Sequence, residues 1–98
     1  MGCGQPQQET VTVDQVAHAK VEAFKRLADA MAKDPNGIEA KVALDEVRNS
    51  PLDVATHRKE AEEIVQIYRQ RIQGKYQGEM AQEIQGEITP IQRALGTP

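Results

Sequence analysis

Cys3 is the single cysteine of the chain and sits in Met1-Gly2-Cys3-Gly4, ahead of the polar stretch Gln5-Pro6-Gln7-Gln8-Glu9. A disulfide needs a second cysteine, which this chain does not supply. A lone thiol on a polar leash suits covalent lipid attachment, and Cys3 is the expected attachment residue. The remaining chemistry-bearing residues are sparse. His18 falls about 100° off the apolar stripe of its helix and is expected in solvent. His57 stands one turn before Ala61, near an inner face, where a half-buried imidazole with a local partner is expected. Zinc sites show denser ligand spacing than two remote histidines. Asp34-Pro35-Asn36-Gly37 has the look of a calcium loop, but with Gly37 in the obligatory glycine place the first and last ligand positions would be Ala32 and Ala43. Neither alanine offers a side-chain oxygen, so calcium is excluded there.

Glu79, Glu83 and Glu87 recur at i, i+4 and i+8, which sets three carboxylates in one row on a helix. Such a row is a solvated face, or else a surface for a basic partner or a weak cation site. Gly74 and Gly78 share a face by the same spacing, either as a bend or as a seam where another backbone approaches. Gly74, Gly78, Glu79, Glu83 and Glu87 are together the candidate interaction surface. Arg58, Lys59, Arg69, Arg71 and Lys75 form a looser basic group, but Glu60, Glu62 and Glu63 interleave with it and argue against a phosphate site. Ser50 is the only serine, and no nucleophile motif or Gly-rich phosphate loop is present. No catalytic residue, metal ligand, cofactor or small-molecule substrate is inferred, and the chain is read as a non-enzyme.

Gly2-Cys3 resembles the last two positions of the lipobox of bacterial lipoproteins, in which the cysteine becomes the acylated first residue. The resemblance covers those two residues and none of the helical region. It requires that an export signal has been removed and that Met1 is not native. It implies export, acylation of Cys3 and residence on a membrane surface of the cell envelope. A second reading is myristoylation at Gly2 with palmitoylation at Cys3, although that motif asks for Ser or Thr where this chain has Pro6. A third leaves Cys3 unmodified.

The chain has 98 residues, which is one domain. Its aromatic residues are Phe24, Tyr68 and Tyr76, so Val, Ile, Leu, Met and many alanines must build a thin core. So small a core makes self-association a natural supplement. A net charge of −3 and a pI near 5.3 argue against nucleic acid as a partner. No apolar run approaches the ~20 residues that span a bilayer, so membrane contact must come through Cys3 or a partner.

The apolar periodicity is helical throughout. Residues 1–11 are expected as a flexible tether and 12–98 as a single helical domain. Thr12 with Gln15 reads as a capping box, and Val13, Val16, Ala17, Val21, Phe24, Leu27, Ala28 and Met31 continue one stripe to Lys33. Glu22 and Arg26 are placed to pair. A second helix is expected to start with Asp34 as cap and Pro35 in the first position, with Ile38, Val42, Ala43, Leu44 and Val47 as its apolar face, and to end at Asn49. Ser50-Pro51 repeats that start signal for a third helix. Its stripe runs from Leu52 through Ile64, Val65, Tyr68, Ile72 and Tyr76, and Met80, Ile84 and Ile88 continue the pattern. Unbroken to Gln85, that helix would reach about 50 Å against about 30 Å for the first. The overhang calls for a fold-back at Gly74–Gly78 or a second chain, and the fold-back is favoured. Thr89-Pro90 is expected to kink or restart the helix before a short final turn.

The expected fold is therefore all-α: a helical hairpin of two longer helices, the first antiparallel to the third, with a short bridging helix and a short C-terminal helix. Phe24, Leu27, Ile64, Val65, Tyr68 and Ile72 are its predicted core. The expected function is a lipid-anchored cell-envelope protein serving as a small helical interaction or structural module. A protein partner or homo-oligomer is expected. The alternative is a cytosolic adaptor with no lipid anchor.

Overall fold

A computed structural model describes residues 13–96. Four helices follow one another: α1 (Val13–Lys33), α2 (Ile38–Asn49), α3 (Arg58–Arg71) and α4 (Glu79–Leu95). The described residues are all-α, as the periodicity predicts, and contain no strand. Cys3, the expected tether and the expected cap Thr12 lie outside them.

Ion pairs and hydrogen bonds fix the helix directions. Lys33 meets Glu39 and Arg26 meets Glu46, so α1 and α2 are antiparallel. Arg58 donates to the Leu95 carbonyl at 3.2 Å, and Tyr68 and Ile72 share a cleft with Ala81 and Gln85, so α3 and α4 are antiparallel too. Lys25 meets Glu63, and Asp29 meets Arg71 further along both helices, so α1 and α3 run parallel. The expected antiparallel pairing of the first and third helices is thereby corrected. The hairpin partner of α1 is α2, and α3 forms its own hairpin with α4. The four helices close a ring in the order α1, α2, α4, α3.

The parallel arrangement follows from the segment between α2 and α3. Ser50 and Pro51 carry the start signal of a helix, but Ser50 closes α2 instead. Its N–H donates to the Val47 carbonyl and its hydroxyl donates back to the Glu46 carbonyl at 2.7 Å. A serine hydroxyl bonded to the preceding turn cannot cap the next helix. The chain then crosses over, pinned by buried Val54 and half-buried Leu52, and turns at Asp53, whose carboxylate accepts the Thr56 hydroxyl at 2.8 Å. α3 begins only at Arg58.

The start of α2 shifts for a related reason. The Asp34 N–H still bonds to the Ala30 carbonyl of α1, while its carboxylate accepts the Asn36 N–H at 3.0 Å. That Asx turn uses Asp34 to end one helix, leaving Gly37 as the residue ahead of α2. The Glu22–Arg26 pair is also replaced: Glu22 meets Lys25 and His18, and Arg26 crosses to Glu46.

The chain folds back between α3 and α4, at the expected glycines. Gly74 and Gly78 have φ of +77° and +97°, which an L side chain adopts only under strain. Outside helical geometry they form no shared face, and a Cβ at either would meet nothing within 4 Å, so no backbone packs there. The fold-back brings α4 over the core and covers Ile84 and Ile88. Thr89-Pro90 does not break α4. Ile84, Ile88, Ile91 and Leu95 are buried on both sides of Pro90, and this packing carries the helix through the missing N–H.

One cluster joins all four helices around Phe24, Leu27, Met31, Ile64, Ile84 and Ile88. The six predicted core residues are all buried within it.

Candidate functional site: a groove between the first two helices

On α2 the residues Ala40, Ala43, Leu44 and Val47 form the buried stripe at three- and four-residue steps. Ile38 and Val42, one turn apart, fall outside that stripe and are 79% and 53% exposed. They are the only large hydrophobic side chains so exposed among the described residues. Both line a groove of about 450 Å³ between α1 and α2, with the small buried residues Ala30 and Ala43 beneath them. Charges border it by wall. Arg26 and Lys33 on α1 reach across to Glu46 at 3.1 Å and Glu39 at 3.8 Å on α2. Asp29, also on the α1 wall, is held by Arg71 at 2.7 Å. The groove is thus an apolar strip with a charged border.

Beyond the Arg26–Glu46 end of this groove the structure contains a buried cation. Lys20 is 7% exposed and its ammonium donates to the Val47 carbonyl at 2.9 Å and the Ser50 carbonyl at 2.8 Å. It thus satisfies carbonyls at the C-terminal end of α2, where the helix dipole favours positive charge. Burial pushes its pKa down, and the nearby Glu87 carboxylate opposes that shift. Arg48, one turn from Leu44, binds Glu83 directly and approaches Glu87 at 3.6 Å. The hydrogen bond to Glu83 holds the guanidinium pKa up.

This places the candidate residues of the carboxylate row. Glu83 and Glu87 tie α4 to α2 through Arg48, and Glu83 also lines, with Glu79 and Gly78, a cleft that Lys41 and Leu44 close from the α2 side. Gly74 and Gly78 lie in the α3–α4 turn. Of the five candidate residues, Gly78, Glu79 and Glu83 share one cleft, while Glu87 meets Arg48 and Gly74 lines the cleft between α3 and α4.

His18 and His57, distant in sequence, line one open cleft of about 900 Å³ with Arg58 and Lys59. The parallel run of α1 and α3 brings them to the same end. His18 is exposed and lies 3.6 Å from Glu22, whereas His57 is 5% exposed at the start of α3. Beside it, the Thr56 hydroxyl and backbone N–H groups hold the Asp53 carboxyl below its ordinary pKa. This cleft is larger than the α1–α2 groove but mixes charges of both signs on a wide mouth. Among the described residues no three His, Cys, Asp or Glu side chains stand close enough to hold a metal ion.

Apolarity alone assigns Ile38 and Val42 to the core and gives no sign of Lys20. Finer signals exist in the sequence: the alanines of α2 define a stripe that excludes Ile38 and Val42, and Lys20 stands three residues after Ala17 and four before Phe24, on the inner face of α1. Comparison with known protein families, with characterised proteins and with solved structures finds no match to this chain.

Proposed function

We propose that this protein is a non-enzymatic, lipid-anchored protein of the cell envelope whose helical domain is an interaction module. The observation that carries the module is the exposed pair Ile38 and Val42 on the α1–α2 groove. Burying aliphatic side chains is worth about 1.5–3 kcal/mol each, which favours covering them with another protein surface. The anchor rests on Gly2-Cys3 and its resemblance to a lipobox. Among the described residues no helix is long and apolar enough to cross a membrane, so Cys3 is the attachment point in this reading. Expression of the native precursor in its host, followed by membrane fractionation and mass spectrometry of the N-terminal peptide, tests the anchor. An acyl mass on Cys3 and loss of membrane partitioning in Cys3→Ser are expected. Equal soluble partitioning of wild type and Cys3→Ser would overturn it.

A further inference from the structure

We infer that the α1–α2 groove is occupied by a second copy of this chain, in a twofold dimer with the two α2 helices antiparallel. The inference rests on the reading of the domain as an interaction module and names its partner. Knob and hole lie on the same patch, because Ile38 and Val42 stand beside the alanine floor of Ala30 and Ala43. A self-complementary patch of that kind is what an isologous interface requires.

Charge gives the orientation. Positive groups, Arg26 and Lys33, belong to the α1 wall, and negative groups, Glu39 and Glu46, to the α2 wall. Since α1 and α2 are antiparallel, an α2 that packs antiparallel on its twofold mate lies parallel to the mate's α1. That carries Glu39 of the second copy toward Arg26, and its Glu46 toward Lys33. The four charges exchange partners between copies, and none is left buried alone. Asp29 is already matched by Arg71 and does not repel the incoming acids unopposed. Two exposed aliphatic residues are a small anchor beside the ~800 Å² per partner of a standard interface, so the dimer is weak and reversible.

Sedimentation equilibrium of the full chain carrying Cys3→Ser, which removes disulfide-linked dimers, tests the inference. Wild-type helices should give a concentration-dependent monomer–dimer equilibrium. Val42→Lys should weaken it about tenfold or more while leaving the thermal melt unchanged at dilutions where both chains are monomeric, because Val42 is exposed in the monomer. The pair R26E/E46R keeps that ion pair within each chain but sets the new carboxylate at position 26 against Glu39 of the second copy, and should weaken dimerisation similarly. Adding K33E/E39K restores opposite charges at every intermolecular position and should restore the dimer. A wild-type chain monomeric into the millimolar range, or a fourfold variant no better than R26E/E46R, overturns the inference. A photo-crosslink from position 42 that joins a monomeric chain to a different protein also overturns it, yet leaves the interaction module standing. Loss of the Cys3 anchor leaves the dimer untouched.

Discussion

Lys20 on α1 donates to the carbonyl of Val47 in the last turn of α2, across 27 positions of sequence and at 2.9 Å. A cation from one helix therefore closes the end of its neighbour, and the second carbonyl, that of Ser50, is met by the same ammonium. The arrangement joins the two helices of the first hairpin at the end opposite their connecting turn.

Lys20→Met should cost about 1–3 kcal/mol in urea denaturation, since it takes the ammonium from the Ser50 carbonyl and leaves the Val47 carbonyl with the Ser50 N–H alone. The pH dependence has a defined sign. Burial lowers the folded-state pKa below the ordinary 10.5, so the unfolded chain holds this proton more tightly. Stability contributed by Lys20 therefore rises as pH increases from the folded pKa toward 10.5. The wild type minus Lys20→Met difference should show that rise, and a flat difference across the alkaline range would contradict it.

Gly74→Ala and Gly78→Ala should each destabilise the fold by about 1–2 kcal/mol, because each forces an L side chain into positive φ. Gly86→Ala, inside α4 with open space around its Cβ, should instead stabilise by about 0.5–1 kcal/mol. Thermal melts of the three variants read the contrast directly.

The Asp53 carboxyl is held below its ordinary pKa of 3.8, first by the Thr56 hydroxyl and then by backbone N–H groups. A depressed carboxyl contributes stability above the unfolded pKa that is lost as pH falls through the folded one. Thr56→Val should move the Asp53 titration upward toward 3.8 in an NMR pH series without abolishing the shift. An unmoved titration would mean that the hydroxyl is not the main cause.

The parts of the fold legible in sequence are those whose signals are local. Helix α1 has one clean stripe and a turn behind it, and its stripe runs to Lys33 in sequence and structure alike. Gly74 and Gly78 announce the fold-back because an overlong helix has nothing to cover Ile84 and Ile88. Asp34 and Ser50 mislead because each has two uses. Either side chain can cap a following helix or bond locally, and here Asp34 makes an Asx turn while Ser50 bonds backward. Helix direction is illegible for a different reason. The parallel run of α1 and α3 depends on the path of residues 50–57, which no periodicity encodes. In the candidate site, Glu83 and Glu87 are visible as a row, but Arg48 lies 35 residues before Glu83 and nothing local links them. Ile38 and Val42 read as core because apolarity alone does not say which of two faces on a short helix meets the protein.

The order of the helix ring has a consequence for how the chain assembles. Each hairpin is made of consecutive sequence, so helices α1 with α2, and α3 with α4, find each other by closing short loops. Only the meeting of the two halves requires distant residues, through Lys25 with Glu63, Asp29 with Arg71 and Arg48 with Glu83. Fast local pairing followed by one slower docking event is the expected kinetic course. The length of chain at 50–57 is then leash and guide at once: it tethers the two halves, and Leu52 and Val54, packed on the shared core, steer how they meet.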